Sequence, residues 1–514
     1  MKYAMLPVAV FLASSASAQI QVVLCSQDHG AASAKAGTPG LPGVLNSNFG
    51  RVHRSPTTNQ WNVVITTNSG DVNTDQVLVQ GQGLAGTLIA QESVTPTENG
   101  EVVNLSTSLP EPRFNDVGQW SLAYRALPTT TLSDRVVRSS SGGFTTFARS
   151  EDHPTVPAFI DFWGFGTANT VSFSGVEVAA DGSMGFLASN MAPNDLGGLE
   201  AIFRISTPGT ATLVARVMDA ATAPTGQSGP QAPWLDIDTG TLRWNAAGTS
   251  SICTGELASD TSIDRIAVVS GVVVAQEGSA LPGTAFTSAV STIADPWMES
   301  NGDWFLRGTN QDGTGWIIRN GAVIAQTGQP IFPGSTELWG SFIDFKGNNA
   351  GSYVVLGTSN LADGLRNSVI VANGQVVVVR ESDPVDIDDN PNTPADLFIG
   401  TLRDRCTLLD DGYFYFAPSL KTNPTNTGNT TGNRASLLRV AIPTGPTCDA
   451  IDFNADGLFP DTADINDFLS VFSGGPCTND PNCGDIDFNN DGLFPDTLDI
   501  NALISVFSGG PCLI

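Results

Sequence analysis

Apolar and polar residues follow two different periods in the two parts of this chain. Before residue 442 the apolar residues fall in short runs, rich in Val, Ile and Thr and separated by Gly, Asn and Asp. Such runs are typical of β-strands joined by tight turns. After residue 464 the apolar spacing becomes i, i+3, i+4, i+7, which predicts two short amphipathic helices. The residues with this spacing are Ile465, Phe468, Leu469 and Phe472, and then Ile500, Leu503, Ile504 and Phe507.

One apolar run recurs seven times in the first part of the chain. Its clearest copies are Val272–Gly278 and Ala322–Gly328, each followed by Pro-Gly. The other copies begin at Val22, Leu88, Phe147, Leu213 and Val377. A turn follows each copy, and its Asn, Asp and Gly residues supply the positive φ angles that tight hairpins need. These turns are Asn59–Trp61, Asn115–Gly118, Asp181-Gly182, Asn245–Gly248, Asn301-Gly302, Asn348–Gly351 and Asp410–Gly412.

Repeated units of about four strands predict a mainly β fold and, specifically, a seven-bladed β-propeller over residues 19–442. The last apolar run, Ser436–Ile442, is expected to pair with the first blade and close the ring. Two stacked β-sandwiches and an open array are the alternatives to this prediction. The blade number is predicted to within one.

The last part of the chain contains one unit twice, Cys448–Cys477 and Cys483–Cys512, after a linker at 443–447. Each copy opens with alternating oxygen-bearing side chains followed by glycine: Asp452, Asn454, Asp456 and Gly457, then Asp487, Asn489, Asp491 and Gly492. Calcium takes six to eight oxygen ligands, and side chains at positions 1, 3 and 5 of such a loop point inward. The pattern therefore predicts two calcium ions bound by residues 448–514, each in a loop that leads into a short helix, as in half of an EF-hand.

The ligand that closes each shell is less well determined by the pattern. Position 12 of an EF-hand loop is a bidentate Glu, but here it is Ala463 or Leu498. A one-residue insertion would make Asp464 and Asp499 the closing ligands, and Asp461 and Asp496 are the second candidates. Asx-rich turns without any metal are the remaining alternative. Residues 448–514 contain 12 Asp and no Lys, Arg or Glu, so these carboxylates would repel one another without a cation.

This duplicated unit resembles a dockerin, and most closely the variety ending in Gly-Gly-Pro-Cys, called GC-type, that closes many secreted planctomycete-type proteins. The resemblance implies calcium-dependent folding and attachment to a cohesin-like or cell-surface protein. The turns of the first part resemble a second planctomycete pattern, the tandem repeat N-x-x-G-x-x-A-F. The residues that match its first half are Asn115, Gly118, Asn245, Gly248, Asn348 and Gly351. That resemblance implies architecture and no activity.

The start of the chain and its cysteines predict export. Residues 1–18, basic and then apolar and ending in Ala16-Ser17-Ala18, are typical of a signal peptide, so a secreted, extracellular or surface-associated protein is expected. No later run is long enough to cross a membrane. Four of the seven cysteines bracket the repeats and allow three pairings, of which repeat symmetry favours Cys448–Cys477 with Cys483–Cys512. Of Cys25, Cys253 and Cys406, at least one is expected to be a buried free thiol.

Charge and motifs limit the function classes. The net charge is −28 with 23 Lys plus Arg, which argues against nucleic acid as a partner. The sequence has three histidines and no zinc, nucleophile-elbow or other catalytic motif, so no catalytic residue is identified. Acids recur after the repeated strands and could form a ring of carboxylates, although solvated loop acids are the simpler interpretation: Glu92, Glu151, Asp152, Glu277, Glu381 and Asp383.

Two functions fit these observations. The first is a secreted, non-catalytic propeller, binding or structural, that takes glycans or other surface molecules and is anchored through the calcium unit. The second is a polysaccharide-degrading glycoside hydrolase delivered by the same unit, which would need two facing carboxylates. The lack of a catalytic motif favours the first.

Overall fold

The fold is seen in a computed structural model, which describes most of the first part of the chain and about half of the repeated unit. The described residues are 20–25, 45–54, 59–67, 71–95, 102–104, 113–115, 119–127, 133–140, 143–149, 172–191, 199–207, 210–386, 397–425, 436–443, 451–455, 462–479, 483, 486–488 and 497–507. The chain divides into two compact units, Met1–Ile442 and Pro443–Ile514. The predicted signal peptide lies outside the described residues, as do Glu151 and Asp152. No helix among the described residues has the length and hydropathy that a membrane crossing requires.

The first unit is a β-propeller built from antiparallel sheets. Each of seven sheets is a blade, and blades 1 to 6 follow the chain order. Blade 1 is β2 (Leu45–Arg54), β3 (Gln60–Thr67), β4 (Gln76–Gln82) and β5 (Ala85–Gln91). Blade 2 is β6 (Val102–Asn104), β7 (Arg113–Phe114), β8 (Trp120–Leu127), β9 (Ser133–Ser140) and β10 (Gly143–Arg149). Blade 3 is β11 (Ser172–Val178), β12 (Met184–Met191), β13 (Leu199–Thr207) and β14 (Thr210–Arg216).

The middle blades keep the same order. Blade 4 is β15 (Trp234–Ile237), β16 (Arg243–Trp244), β17 (Ser251–Leu257), β18 (Arg265–Val269) and β19 (Val272–Gln276). Blade 5 is β20 (Val290–Met298), β21 (Trp304–Asn310), β22 (Gly315–Arg319) and β23 (Ala322–Gln326). Blade 6 is β24 (Trp339–Gly347), β25 (Tyr353–Ser359), β26 (Ser368–Ala372) and β27 (Val376–Arg380). In blades 2 and 4 the first strand is broken into two pieces, which both pair with the second strand.

Blade 7 joins the two ends of the propeller. It is β30 (Cys406–Leu408), β31 (Tyr413–Phe416), β33 (Ser436–Ala441) and β1 (Gln21–Cys25). The N-terminal β1 pairs with β33 and so supplies the fourth strand of the last blade. A separate small sheet consists of β28 (Pro384–Val385), β29 (Leu397–Ile399) and β32 (Leu420–Lys421). A 3-10 turn at Ala220–Thr222 lies between β14 and β15 in the chain. The predicted propeller and its seven blades are confirmed, and the sandwiches and the open array are not what forms.

Both repeated signals of the sequence have a fixed place in a blade. All seven apolar copies are fourth strands, from β1 to β27, and all seven turns join the first strand of a blade to its second. The asparagine of the turn explains why it recurs. In Asn348 the side-chain Oδ1 accepts from the Ser352 amide at 2.9 Å, while Nδ2 donates to the Leu409 carbonyl of blade 7 at 3.0 Å. One side chain therefore closes its own turn and holds the next blade.

Apolar clusters fill the spaces between the blades. Blades 2, 3 and 4 share one cluster around Phe186 and Trp234, and blades 4 and 5 share another around Trp316. Further clusters join blade 5 to blade 6, blade 6 to blade 7, and blade 7 to blade 1. The first strands β2 and β7 bring blades 1 and 2 together. Each blade is thus covered on both faces, whereas an open array would leave the outer face of each end blade exposed.

The second unit is small and helical. Its helices are α1 (Thr462–Phe472) and α2 (Thr497–Phe507), which carry the predicted apolar spacing. Phe453, Phe468 and Phe488 form the centre of its core, with edge-to-face contacts at ring distances of 5.2 and 6.0 Å. These rings belong to both copies of the repeat, so the two copies pack as one core.

The cysteine pairing favoured by repeat symmetry is wrong. Cys477 is bonded to Cys483, so the bridge joins the end of one copy to the start of the next. The reason is local: the chain turns after α1 and brings the two Cα atoms within 6.5 Å, which is inside the reach of a disulfide. Cys448 and Cys512 lie outside the described residues. The expected buried free thiol is confirmed at both Cys253 and Cys406.

Candidate functional site

A cavity of about 520 Å³ lies among the first strands of the propeller. Its walls come from β2 of blade 1, β20 of blade 5 and β24 of blade 6, and from the segments that lead into β16 and β30. Five of the seven blades therefore contribute to one space. Small-molecule sites commonly occupy clefts of about 300 to 1,000 Å³, so this is the candidate site of the first unit.

Irregular backbone directs side chains into the cavity. The register of β2 shifts between Phe49 and Val52, and that of β20 shifts between Ala294 and Trp297. The residues inside these shifts, Arg51 and Asp295, both line the cavity. Asp295 has a positive φ of 48°, a conformation that non-glycine residues adopt at a cost in energy. Bulges of this kind are frequent beside functional sites because they re-aim a side chain.

Arg307, a residue of β21, contacts two irregular strands, β20 and β24. Its guanidinium donates to the carbonyls of Phe342 and Ile343 at 2.7 and 2.9 Å, where β24 has its own register shift. It also forms an ion pair with Asp295 of β20. A single cation thus satisfies carbonyls that the bulge has removed from the sheet ladder. The wall is therefore built by specific polar contacts.

The cavity is positively charged although the chain is strongly acidic. Arg51, Arg243, Arg307, Lys346 and Arg403 line it, against the carboxylates of Asp295, Asp344 and Asp404. These five cations and three anions leave a surplus of two positive charges. Each carboxylate is paired with one of the cations: Asp404 with Arg51 at 2.8 Å, Asp344 with Lys346 at 2.6 Å, and Asp295 with Arg307.

Trp297 forms the inner wall with two of the cations. The Lys346 ammonium lies 4.8 Å from its ring centre and the Arg243 guanidinium 5.4 Å, both within cation–π range. The indole N–H donates to Glu299 at 2.7 Å, which fixes the ring. Burial acts to lower the pKa of Lys346, but the Asp344 carboxylate outweighs it, so the net pKa is raised. Lys346 therefore stays protonated and positively charged.

Cys406 lies in the same wall but is unsuited to nucleophilic chemistry. Burial and the neighbouring Asp344 carboxylate raise the pKa of its thiol well above the ordinary value of 9.0. Its S–H donates to Asp344 at 3.5 Å. Since the thiolate is the reactive form of cysteine, a thiol held protonated in this way is inert.

A buried ion pair crosses the ring next to the cavity. Arg54, at the end of β2 in blade 1, is paired with Glu299 of blade 5 and with Asp410 of blade 7 at 2.9 Å. A contact between blades 1 and 5, which are not neighbours, has to pass through the centre of the ring. Arg54, Trp297 and Glu299 also line a second cavity of about 50 Å³. Trp297 lines both cavities, so the two lie next to each other.

The recurring acids, for which the sequence allows a ring of carboxylates but favours solvated loop acids, do not line the cavity. Glu92, Glu277 and Glu381 each lie at the end of a fourth strand in a different blade, away from the first strands that line the cavity. Glu381 pairs with Lys421 at 2.7 Å and Asp383 with Arg366 at 3.2 Å. Burial and Asp75 raise the pKa of Glu92 to about 7. The residues that do converge were missed, because the sequence does not show which arginines of different blades face the same space.

In the second unit, half of the predicted calcium ligands lie among the described residues: Asp452, Asn454, Asp464, Asp487 and Asp499. The others, Asp456, Asp461, Asn489, Asp491 and Asp496, lie outside them. Asp464 and Asp499 occupy equivalent places in the first turns of α1 and α2, and both side chains are fully buried at 0 % exposure. The Asp464 carboxylate accepts from the Asn454 amide at 3.3 Å, so it points back at the loop.

Asp467 is a buried acid of the second unit that was not predicted as a site residue. It accepts from the Asn454 side chain at 3.0 Å and from the Thr478 hydroxyl at 2.6 Å. These bonds tie the first loop to the chain beyond α1, and the bond from Thr478 lowers the pKa of Asp467. The equivalent residue of the second copy is Ala502. Because the second copy has no acid at this position, we interpret the role of Asp467 in the first copy as structural.

No family model matches this chain, and no curated protein is similar to it. Solved propeller-containing structures are similar in fold at low identity. A puromycin-hydrolysing peptidase of Mycobacterium tuberculosis is 9 % identical over 81 % of this chain and 56 % of its own, with a TM-score of 0.39. TolB of Acinetobacter baumannii is 14 % identical over 63 % and 60 %, with a TM-score of 0.28. The chain thus spans less than two thirds of each, and these likenesses carry no argument about function.

Proposed function

We propose that this protein is a non-catalytic binding protein whose propeller takes a ligand in its central cavity, and that its second unit binds calcium and attaches the protein to a partner. The observation that carries the first part is the state of the cavity carboxylates. Asp295, Asp344 and Asp404 are each tied to a cation of the same wall. These carboxylates are engaged by the wall itself and serve to position its cations.

This arrangement argues against the alternative of a glycoside hydrolase. A glycosidase needs one carboxyl group that holds a proton and a second that acts as base or nucleophile, about 5 to 9.5 Å apart. Each cavity carboxylate is instead bonded to a cation of the wall, so these acids are arranged as ion pairs and not as two facing carboxyl groups. One further side chain of the wall, the Cys406 thiol, is also held protonated, since burial and Asp344 raise its pKa. Binding is the function that these groups support.

The test uses the full chain and a panel of polysaccharides and their oligosaccharides. Binding would be measured by calorimetry, and turnover by release of reducing sugar after prolonged incubation. We expect binding to at least one member and no release with any. Release that is lost in the Asp344→Asn variant would show that the cavity is catalytic and would overturn the proposal. Asp363→Asn, which changes an exposed acid outside the cavity, is the matched control.

Calcium binding by the second unit is proposed on a separate observation. Asp464 and Asp499 are fully buried in a unit that contains no Lys, Arg or Glu. Burying an ionised carboxylate costs several kcal/mol unless a cation or a set of donors compensates it. Calcium would supply that charge, and Asp464 and Asp499 would close the two shells that Asp452 and Asp487 open. Asp461 and Asp496 remain the alternative closing pair.

Calorimetric titration of the full chain with calcium tests this part. We expect two ions per chain, and a larger loss of affinity in the double variant Asp464→Asn, Asp499→Asn than in Asp461→Asn, Asp496→Asn. A stoichiometry near zero would contradict calcium binding itself. A larger loss in the second variant would reassign the closing ligand and leave calcium in place.

Attachment through this unit is proposed from the dockerin resemblance together with the predicted export of the chain. The expected partner is a cohesin-like or cell-surface protein outside the cell. Capture of surface proteins by the full chain in calcium, compared with capture in a chelator, tests it. A chain in which Asp464 and Asp499 are both replaced by Asn is the matched control, and equal capture by both chains would contradict a calcium-dependent partner.

A further inference from the structure

We propose that the central cavity binds a small oxyanion, a carboxylate, sulfate or phosphate group carried on a molecule of about the size of one or two sugar rings, and that Arg403 is the residue that receives the charged group. This inference rests on the binding function proposed above and names the class of ligand. It depends on the charges of the wall, on the position of Arg403 and on the size of the space.

The charge distribution is the first argument. The chain contains 23 Lys plus Arg against 51 Asp plus Glu, yet five of those cations line this one cavity with three anions. A concentration of cations inside an acidic protein costs energy through their mutual repulsion. A walled cavity of one sign also focuses the field and attracts the opposite charge. An anionic ligand would relieve the repulsion and be held by the field.

Arg403 is the cation that is available for a ligand. It is half-buried, lines the cavity, and belongs to the segment that leads into β30. Among the described residues no hydrogen bond or ion pair engages its guanidinium, whereas the Arg51, Arg307 and Lys346 cations each have a carboxylate. A guanidinium without a carboxylate keeps its donors free for a planar or tetrahedral oxyanion, which it can bind with two parallel hydrogen bonds.

The surroundings of Arg403 strengthen its positive potential. Arg405 follows two residues later, and Arg51 lies in the facing β2 with its side chain 47 % exposed. Burial, and then the charges of Arg403 and Arg51, lower the pKa of Arg405, while Asp404 opposes them. Three arginines around one carboxylate therefore act on each other as like charges. A bound anion would offset this repulsion.

The size of the cavity limits the ligand to a small molecule or the end of a chain. The space is about 520 Å³, and small-molecule sites commonly occupy clefts of about 300 to 1,000 Å³. The Trp297 ring already carries Lys346 and Arg243, so the ligand meets a cationic wall rather than an open aromatic platform. Charge recognition is thus what this space offers.

The experiment is a calorimetric titration of the full chain with four ligands on one scaffold: glucuronate, glucose 6-sulfate, glucose 6-phosphate and uncharged glucose. We expect at least one of the charged sugars to bind at least tenfold more tightly than glucose, and the strongest of the three identifies the anionic group. Raising the salt concentration should weaken that binding, because screening acts on the charge. Equal affinity for glucose and the charged sugars would overturn the anion assignment.

Substitutions of single arginines test whether Arg403 binds the charged group. Arg403→Gln should lower the affinity for the charged sugar at least tenfold, and Arg403→Lys should retain part of it because the charge stays while the fork is lost. Arg366→Gln, which removes an exposed arginine outside the cavity, should leave it unchanged. Unchanged affinity in Arg403→Gln would overturn the proposal. Release of reducing sugar would instead contradict the non-catalytic function, so the two failures are distinguishable.

Discussion

Buried carboxylates receive their counter-charge differently in the two units of this protein. In the propeller, Glu299 is paired with Arg54 and Asp344 with Lys346, all of them nearly or fully buried. In the second unit, Asp464 and Asp499 are buried as deeply, but 12 Asp residues share that unit with no Lys, Arg or Glu. The first unit therefore carries cations for these two carboxylates, whereas the second has no Lys or Arg that could do so. The calcium that the loops predict would supply such a cation.

The units also differ in how their repeats are held together. In the propeller the two ends of the chain pair, since β1 completes the last blade beside β33. Every blade then contributes to a cluster shared with a neighbour. In the part of the second unit that the structure describes there is one small core, which Phe453, Phe468 and Phe488 fill, and one bridge, between Cys477 and Cys483. Small units with little core generally need such supports.

Removing one cation from the propeller should have the largest effect on stability. Arg54→Ala leaves the Glu299 carboxylate buried and without its partner, which should lower the free energy of unfolding by about 3 to 5 kcal/mol. Arg51→Ala, three residues earlier in β2, breaks an exposed pair with Asp404 and should cost about 0 to 1 kcal/mol. Denaturant unfolding of both variants measures the difference. Equal losses would mean that burial does not govern these pairs.

Removing calcium is the corresponding change for the second unit. A chelator should destabilise residues 443–514 and leave the propeller transition where it is, because the buried Glu299 and Asp344 of the propeller are already paired with Arg54 and Lys346. A ligand at 100 times its dissociation constant stabilises by about 2.7 kcal/mol, which sets the expected loss. Thermal unfolding of the full chain with calcium and with a chelator measures it. A shift of the propeller transition would break the contrast between the units.

The sequence predicts the repeating parts of this fold because they rest on local chemistry. Asn348 and Gly351 form a turn wherever the chain places them, and runs such as Val376–Arg380 form strands. The cavity was missed because its lining comes from five blades, and Arg51, Arg307 and Arg403 share no motif. The cysteine pairing failed for the same reason, since proximity of Cys477 and Cys483 depends on the path after α1.

Removing the turn asparagine tests whether the repeat joins the blades. Asn348→Ala deletes the acceptor for the Ser352 amide and the donor to the Leu409 carbonyl, which is a buried bond. Each buried group left unpaired costs about 1 to 3 kcal/mol, and we expect a loss in that range. Asn245→Ala removes a more exposed copy of the turn and should cost less. Thermal unfolding of the two variants compares them, and equal losses would contradict a joining role.

The smallest effect on stability should come from pH. In the propeller it should act in the direction opposite to that expected for the second unit with calcium bound. Burial raises the pKa of Glu200 to about 7 from its ordinary 4.5, against the bond that its carboxylate accepts from Ile237. Between these two values the folded carboxyl keeps a proton that the unfolded chain releases. Its contribution to stability is therefore full below 4.5 and is lost as the pH rises to about 7. Glu92, also with a pKa of about 7, adds to the same trend.

Glu200→Gln mimics the protonated side chain and isolates this effect. The variant should flatten the fall in unfolding midpoint between pH 5 and pH 7.5 at fixed calcium. The change should be less than about 1 kcal/mol, because solvent screens these partly exposed groups. Glu337→Gln is the control of opposite sign. The pKa of Glu337 is lowered, against the effect of burial, by its bonds to Ser359 and Arg380, so losing the carboxylate should weaken stability near neutral pH.

The second unit offers the matching test with calcium removed by a chelator. If the calcium-free unit is more stable at low pH than at neutral pH, because its carboxylates gain protons, the two units differ in charge compensation as argued. If chelation changes nothing at any pH, the buried Asp464 and Asp499 need no cation, and the contrast between the units fails.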